Sequence, residues 1–579
     1  MLRPLKKDRK NCYSTLDIET GRRGQVLDIA IFDGAAPVFF SSWAALIQFI
    51  EVHIEDKIYH KFIAHNGGSF DYTSFVEYLT DQTAIKYDIV LSQAKIVVLY
   101  VYLGGKRIEF IDSANVFLKT SLADLCKIFK IEHGKLEGID RSNIELLKRN
   151  DRDTYYSYLG LDVISLFEVC KSFERLLEID FFPLTVASLS LYLYRRRFQK
   201  YVLMKPRPKV DEFISKAYAG GRVECFRPGK HEVFSFDVNS LYPSVMRKSK
   251  FPVGTPYVAL SFHPEKIGVY HVRFEQTDRT IPPILWEKNE INGLEFVYSG
   301  DGYFFDPEIK LALEHGIRID IIKGYVWMQS VYLFKEFVDH YYALRMANKG
   351  TAIEYVVKLL LNSLYGKFGQ KENKKILKRL DGEGLKKALS MGLRVEPYLP
   401  SKGLYEVTEP RPINHRIINL AAQVTSLGRV ELAKQIIAHP GTIVYCDTDS
   451  LHLTEKLPRK LISKKKLGKW KREDSGEGIY TGRKQYSINE KVRFKGMKEI
   501  DKLDGGRVVF GRDDLNLINR GVEIEKSFSV FPHIKAVLKF GRKACQIGHI
   551  TKVMKKRFYL TNFLSDTRGS PHFFNLMKE

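Results

Sequence analysis

The stretch Val444-Tyr445-Cys446-Asp447-Thr448-Asp449-Ser450-Leu451-His452 constrains this chain more than any other. An apolar run leads into two carboxylates two positions apart, separated by one polar residue. In an extended or tightly turned backbone, residues i and i+2 point the same way. Asp447 and Asp449 are thus predicted to face one small volume, where two like charges are tolerable only around a cation. Hard oxygen ligands with room left for substrate suit Mg²⁺, which takes one or two carboxylates plus phosphate oxygens. Taken alone, Asp-x-Asp is equally a solvated hairpin turn, and the rest of the chain decides between the two.

At 579 residues the chain is too long for one core, and several domains are expected. Lys and Arg number 92 against 68 Asp and Glu, a net charge of +24 that favours a polyanionic partner, nucleic acid first. Six scattered cysteines form no C-x-x-C pair, which argues against a zinc ribbon, an iron–sulfur site or a disulfide framework, and for a reducing compartment. No apolar run approaches the ~18 residues of a membrane span. The basic start lacks the apolar segment of a secretory signal, and a short organellar presequence stays open.

Further acids precede the central pair. Asp17 and Glu19 repeat the i, i+2 spacing on a predicted strand. A Gly-rich loop follows, His65-Asn66-Gly67-Gly68-Ser69-Phe70-Asp71. Tyr158 and Asp162, four apart in a stretch of helical period, share one helix face. Four carboxylates and a tyrosine are what a two-metal phosphodiester hydrolase needs: the cations clamp the attacking and leaving oxygens, and the hydroxyl orients water. Acids in unrelated turns are the alternative for each fragment alone.

Later, Tyr218-Ala219-Gly220-Gly221-Arg222 pairs glycines that let a backbone approach a strand or phosphate, with Tyr218 and Arg222 as candidate contacts to a nucleic-acid strand. A plain turn explains the same residues. A strand of alternating character ends at Asp237, and Ser240-Leu241-Tyr242-Pro243 turns into a helix, since Pro is tolerated in a first turn. The backbone N–H groups there can receive a phosphate. Residues 355–366 read as an apolar helix ended by Gly366, with Lys358, Asn362 and Tyr365 in one polar stripe suited to a triphosphate and a base.

These stretches carry a family resemblance. Asp17 with Glu19, Asn66 to Asp71, and Tyr158 to Asp162 resemble, in order and spacing, the three motifs of DEDD-type 3′–5′ exonucleases. Asp237-x-x-Ser-Leu-Tyr-Pro-Ser, Lys358-x-x-x-Asn-Ser-x-Tyr-Gly and Asp447-Thr448-Asp449-Ser450 resemble motifs A, B and C of family-B DNA polymerases. The resemblance implies that Asp237 and Asp449, with the backbone of Val238, hold two Mg²⁺ (or Mn²⁺), with Asp447 beside them. Asp17, Glu19, Asp71 and Asp162 would hold the exonuclease pair, assisted by Tyr158. Lys358 would bind the incoming dNTP, Tyr242 would lie under its sugar, and Asn362 and Tyr365 would line the base-pair pocket. DNA contacts would come from Asn66, Phe70, Ser121, Leu122, Lys135, Tyr218, Gly220, Gly221, Lys484 and Tyr486. Lys484 and Tyr486 read as a cation and an aromatic on one strand face, suited to a primer end.

Lys358 lies 121 positions after Asp237, and Asp447 lies 81 after Gly366, more than a palm and a fingers hairpin need. With an early first motif and no C-terminal cysteine cluster, that layout is similar to the protein-primed, phi29-like replicases of phages, viruses and linear plasmids. The implied fold is a multidomain α/β protein with an RNase H-like DEDD exonuclease domain at 1–177 and a right-hand polymerase. Palm would span 178–254 and 413–514, fingers 336–366 and thumb 515–579. One insertion, 255–335, would contact a terminal protein. The other, 367–412, would serve processivity and strand displacement. Implied partners are template and primer DNA, dNTPs, a terminal protein and a single-stranded DNA-binding protein, for a monomer with no membrane partner. The setting would be the cytoplasm of a phage host, or a host-cell or organellar compartment. The alternatives are a nucleic-acid-primed family-B polymerase without a terminal protein, a DNA-binding scaffold with a decayed site, and a reverse transcriptase.

Overall fold

Leu16 and Ile18 alternate with the two acids along strand Ser14–Thr20, and both are buried. That period of two puts the apolar side chains on the core face of a sheet. In the computed structural model, which describes residues 1–22, 24–92, 95–118, 120–133, 139, 143–289, 293–410, 413–494, 511–530 and 548–554, the sheet has ten strands. Ser14–Thr20 runs parallel to Lys61–Ala64, which runs parallel to Lys106–Asp112. The other pairings in this sheet are antiparallel. Helix Arg152–Leu177, capped by the Asp151 carboxylate accepting from the Thr154 N–H, packs against Ser14–Thr20 and Val26–Phe32.

One edge of this sheet is completed from far down the chain. Strand Asn373–Arg379 pairs with Lys86–Ser92, placing Ile376 opposite Val90 and Leu377 opposite Ile89. Leu404–Pro410 and Arg394–Leu399 extend it outward, and Leu377, Leu399 and Leu404 are buried in the same core as Phe62 and Phe110. The residues expected to form a second insertion therefore cover an edge that would otherwise be open to pairing with other chains.

A second sheet has seven antiparallel strands, in the order Lys491–Phe494, Gln485–Ile488, Trp470–Gly482, Gly229–Val238, Ser450–Leu453, Ile443–Asp447, Val223–Cys225. Helix Ile418–Ala438 is buried over most of its circumference, as expected of a helix inside a core. Apolar side chains of the exonuclease-like half (Phe117, Phe173), the second sheet (Phe236, Leu451) and helix Ala352–Phe368 (Leu360, Leu364) belong to one continuous cluster. The two halves share a core. Helix Ala352–Phe368 does not stop at Gly366 as the sequence suggested; it runs two residues further, to Phe368, because Phe368 is fully buried and adds to that core.

The residues between the first two polymerase-like motifs fold on a two-stranded base, Phe251–Val253 paired with Gln329–Val331. Above it lies a four-stranded sheet in the order Tyr257–Ala259, Arg318–Val326, Gly268–Glu275, Ser299–Phe305, with helix Asp306–Glu314. Arg429, from helix Ile418–Ala438, fastens this unit to the polymerase-like half. Its guanidinium donates to both Glu308 oxygens at 2.9 and 3.1 Å, and Trp286 Nε1 donates to the same carboxylate at 2.8 Å. Its remaining nitrogen donates to the carbonyls of Ala219 and Gly220, each at 2.9 Å.

Toward the C-terminus, helix Arg512–Asn519 is followed by paired strands Ile524–Val530 and Gly548–Met554. The basic run 539–543, read from sequence as part of a thumb, lies outside the described residues. Among the described residues, no helix is long and apolar enough to cross a membrane.

Arg429 and Glu308 are both at least nine-tenths buried. Arg429→Met would strand the Glu308 charge, a change that costs ~3–5 kcal/mol in comparable buried pairs. Urea unfolding of the variant should show a loss of that order. An unchanged midpoint would mean the pair contributes nothing to holding the insertion.

Candidate active sites

Asp447 ends strand Ile443–Asp447 and pairs across a two-residue turn with Ser450, and Ser450 in turn lies opposite Asp237 on strand Gly229–Val238. Antiparallel register thus brings Asp237, Asp447 and Asp449 to one end of the seven-stranded sheet. They line one open cavity of about 530 Å³ together with Glu473 and Tyr486. Backbone bonds fix the turn: the Val238 N–H donates to the Asp449 carbonyl and the Thr448 N–H to the Arg222 carbonyl, each at 2.8 Å. Thr448 sits at φ +59, unusual for a β-branched residue. Gly221 packs against it so closely that a Cβ there would lie 2.8 Å from Thr448, which explains one of the paired glycines.

The electrostatics are those of a site short of positive charge. Burial, then Asp449 and Glu473, push the Asp237 carboxyl up to about 7, against the opposing pull of Lys471 and Lys358. Burial and Asp447 raise Asp449 as well. Carboxyls whose charged form is disfavoured fit a cation-binding role, since a divalent ion supplies the missing charge. Asp447 is compensated differently: Lys484 Nζ donates to its two oxygens at 3.0 and 2.7 Å. Lys484 does not share a strand face with Tyr486 as expected from sequence. It occupies the turn before strand Gln485–Ile488 at φ +56, and its N–H is held by the Tyr445 hydroxyl at 3.0 Å.

Beside this cluster, Lys358 and Asn362 are exposed on helix Ala352–Phe368, and Tyr365 is half-buried. Tyr365 meets Tyr242, at the start of helix Leu241–Lys248, with ring centroids 4.6 Å apart. Burial raises both hydroxyls, Tyr242 to about 12. Tyr218 is half-buried and lies against Gly369. Gly220 is exposed, with open space where a Cβ would project. Arg222 is not a nucleic-acid contact: it is 2% exposed, bonded to Glu224 and to the Pro283 carbonyl, and packed on the Phe296 ring. A neighbouring acid and an aromatic from the insertion gave it a partner inside the fold.

The second cluster is in the ten-stranded sheet. One carboxylate oxygen each from Asp17, Glu19 and Asp162 lies within 4.8 Å of the others. Tyr158 and Asp162 lie on helix Arg152–Leu177, as their spacing predicted, and both are buried. Asp71 is buried as the first residue of helix Asp71–Asp81, outside that tight group of three. Asn66 adopts φ +63 in the preceding loop, and Phe70 is among the exposed aromatics. Gly68 passes so near strand Lys95–Leu103 that a Cβ would meet the Ile96 carbonyl oxygen at 2.0 Å. Ser121 caps helix Leu122–Phe129, accepting from the Asp124 N–H at 3.1 Å, and the Leu122 side chain turns into the core. Lys135 lies outside the described residues.

Sequence reasoning missed several residues that complete these sites. Asp112 is fully buried and accepts the N–H groups of Asn66, Gly68 and Ala114 plus the Lys95 ammonium, so it builds the Asn66–Phe70 loop. Glu473 enters the polymerase-like cavity at an irregularity of strand Trp470–Gly482. Arg345 Nη1 donates to Ser240 Oγ at 3.0 Å, adding a cation where helix Leu241–Lys248 begins. None had a local signature, because each depends on a long-range partner.

A family model described as DNA polymerase type B, organellar and viral, matches residues 137–466, more than half of the chain. A probable DNA polymerase of Ascobolus immersus is 23% identical over 563 residues, covering 86% of this chain and 46% of that protein. The DNA polymerase of Bacillus phage Nf is 30% identical over 305 residues, covering 49% of this chain and 50% of that one. The chain spans about half the length of the curated relatives it matches. Its fold is that of phi29 DNA polymerase complexed with primer-template DNA and incoming nucleotide substrates, with a TM-score of 0.73 at 20% identity over 95% of this chain and 100% of that chain.

The Asp237 carboxyl yields a pH test. Its value is raised from the usual 3.8 to about 7. Between those values the folded protein holds a proton that the unfolded chain does not, so this group lowers stability as pH rises through that window. Without divalent ions, Asp237→Asn should stabilise the protein more at pH 8 than at pH 5, by at least about 1.4 kcal/mol, one unit's worth. Urea unfolding in chelator at both pH values measures this. An equal effect at both would show that the carboxylate is not charge-strained.

Proposed function

Because the chain belongs to the organellar and viral type B DNA polymerases, we propose that it is a DNA-dependent DNA polymerase with a 3′–5′ proofreading exonuclease, started by a terminal protein. The observation that carries the reading is the presence of two separate carboxylate clusters, Asp237–Asp447–Asp449 and Asp17–Glu19–Asp162, the first beside the Lys358–Tyr365 stripe. Asp237 and Asp449 would hold two Mg²⁺ or Mn²⁺, and Asp17, Glu19, Asp71 and Asp162 a second pair. When bound, these ions activate the attacking oxygen and stabilise in-line displacement at phosphorus.

The chain's own residues do the rest. Lys358 neutralises the triphosphate, and the Tyr242 ring, braced by Tyr365, lies beneath the sugar and leaves no room for a 2′-hydroxyl. Lys484 keeps the Asp447 charge balanced and presents a cation to the primer backbone. Phe70 stacks on the unpaired 3′ base while Asn66 holds its backbone, and Tyr158 orients water for hydrolysis. A solved relative of this fold in complex with primer-template DNA and incoming nucleotides supports DNA and dNTPs as partners.

What favours a terminal protein is the unit at 255–335, rising from the pairing of Phe251–Val253 with Gln329–Val331, taken with the resemblance to the phi29-like group, whose residues between the same two motifs contact the priming protein. A protein hydroxyl can replace a primer 3′-OH, because the activated group is an oxygen whatever carries it. The setting would be the cytoplasm of a phage host, or an organelle, in keeping with phage and fungal relatives.

Asp449→Ala should abolish nucleotide addition and spare digestion of single-stranded DNA. Asp17→Ala with Glu19→Ala should do the converse. Loss of both activities from either change, in a folded protein, would refute the two-site assignment. With its terminal protein and Mg²⁺ or Mn²⁺, the enzyme should also attach labelled deoxynucleotide to a Ser, Thr or Tyr hydroxyl, giving a nuclease-resistant adduct. Primer extension without any adduct would select the nucleic-acid-primed alternative.

A further inference from the structure

Tyr355 stands one turn before Lys358, and with Lys358, Asn362 and Tyr365 it continues one helix face. Unlike them it points at the exonuclease-like half. Its hydroxyl donates to the Phe117 carbonyl. That uses its single proton, so the Thr120 hydroxyl, 2.8 Å away, is the donor to the Tyr355 oxygen. The Thr120 carbonyl accepts from His65 Nε2 at 3.0 Å, which fixes the proton on that nitrogen. In the neutral ring Nδ1 then accepts from Ser113 Oγ at 2.8 Å. His65 directly precedes Asn66, the first residue of the loop proposed to hold a single-stranded 3′ end. Two side chains, Thr120 and His65, therefore connect the nucleotide-binding helix to that loop.

The connection is one of several between the halves. Helix Val186–Leu193 packs between the halves, touching both helix Ala114–Phe117 and helix Ala352–Phe368, and Ser190 Oγ donates to the Leu360 carbonyl at 2.7 Å. Those contacts also dock the helix. The Tyr355 hydroxyl adds a fixed register at the helix's N-terminal end. The Phe117 carbonyl it uses precedes Leu118 at φ +54, a conformation a leucine seldom adopts.

We propose that Tyr355 is a positioning residue that registers the nucleotide-binding helix against the loop receiving an unpaired 3′ end, and so sets how the primer is shared between the two sites. The inference rests on the two-activity reading above. Tyr355 takes part in neither chemistry. Without its hydroxyl the helix is less well placed to close on a nucleotide, while the exonuclease acids are untouched.

The test uses the full chain with Tyr355→Phe, which keeps the ring, and independently Thr120→Val, which keeps the shape. In an Asp17→Ala background, KM for the dNTP should rise about fivefold, the size of one net hydrogen bond, with kcat little changed. In the exonuclease-competent protein, the dNTP concentration at which degradation gives way to extension should rise by a similar factor. Digestion of single-stranded DNA should stay at the parent rate. Adding Thr120→Val to Tyr355→Phe should change little further, because Tyr355→Phe has already removed the bond the two side chains share. An unchanged balance point in both variants, or an equal loss of both activities, would overturn the proposal. A parent protein lacking either activity would instead overturn the two-activity reading, and this inference with it.

Discussion

Asp237, Asp447 and Asp449 repel one another, and much of the palm is arranged to hold them together in spite of it. Register does the first part: pairing of Asp447 with Ser450 and of Ser450 with Asp237 leaves the three carboxylates no other direction. Backbone bonds to Val238 and Thr448 then lock the turn. One of the three charges is cancelled within the protein by Lys484, itself held by the Tyr445 hydroxyl. The other two are left with raised protonation equilibria. A site that cancelled all three would be more stable and would have no use for a cation. The uncompensated pair is the part a cation would complete.

The same economy appears in the exonuclease-like sheet. Asp17 and Glu19 alternate with buried Leu16 and Ile18, so the strand that anchors the core also presents the acids. The surrounding charges are again matched individually. Asp28, opposite Glu19, receives the Tyr155 hydroxyl at 2.9 Å and the Lys148 ammonium, and Asp112 receives Lys95 and three backbone N–H groups. The described acids next to the cluster are thus spoken for. The cluster's own three lie within 4.8 Å of one another, a spacing that suits a shared cation.

What the sequence disclosed and what it hid divide along one line. Asp17 with Glu19, Tyr158 with Asp162, and Lys358 with Asn362 and Tyr365 were legible because strand and helix periods fix which neighbours share a face. Their chemistry needs those spacings, so the spacing is the signal. Arg222 beside the paired glycines looked like a DNA contact, since nothing local reveals that Glu224 and Phe296 enclose it. Asp112 and Glu308 look like any other acids until the fold brings Asn66 and Arg429 to them. Gly366 looked like a helix end because glycine commonly is one, and the burial of Phe368 overrode that preference. The order of motifs implied two catalytic halves. That residues 373–410 would pair with the edge strand of the first half was not legible, because strand partners far apart in sequence leave no periodic trace.

That edge pairing bears on how the two halves can move. The chain leaves helix Ala352–Phe368 and within a few residues enters strand Asn373–Arg379, which is hydrogen-bonded into the ten-stranded sheet. Near its other end the same helix is bonded through Tyr355 to Phe117 and Thr120 of that half. The helix carrying Lys358 is therefore held at both ends by the exonuclease-like domain, although it lies in the polymerase-like half of the sequence. A rod anchored at both ends resists translation, which must break backbone pairing at one anchor or a bonded hydroxyl at the other. Rotation about its own length is opposed as well: Tyr355, on the same face as Lys358, would swing off Phe117 and Thr120, and the buried Leu360, Leu364 and Phe368 would leave the shared core. The topology thus ties the placement of Lys358, Asn362 and Tyr365 relative to Asp237 and Asp449 to the exonuclease-like half.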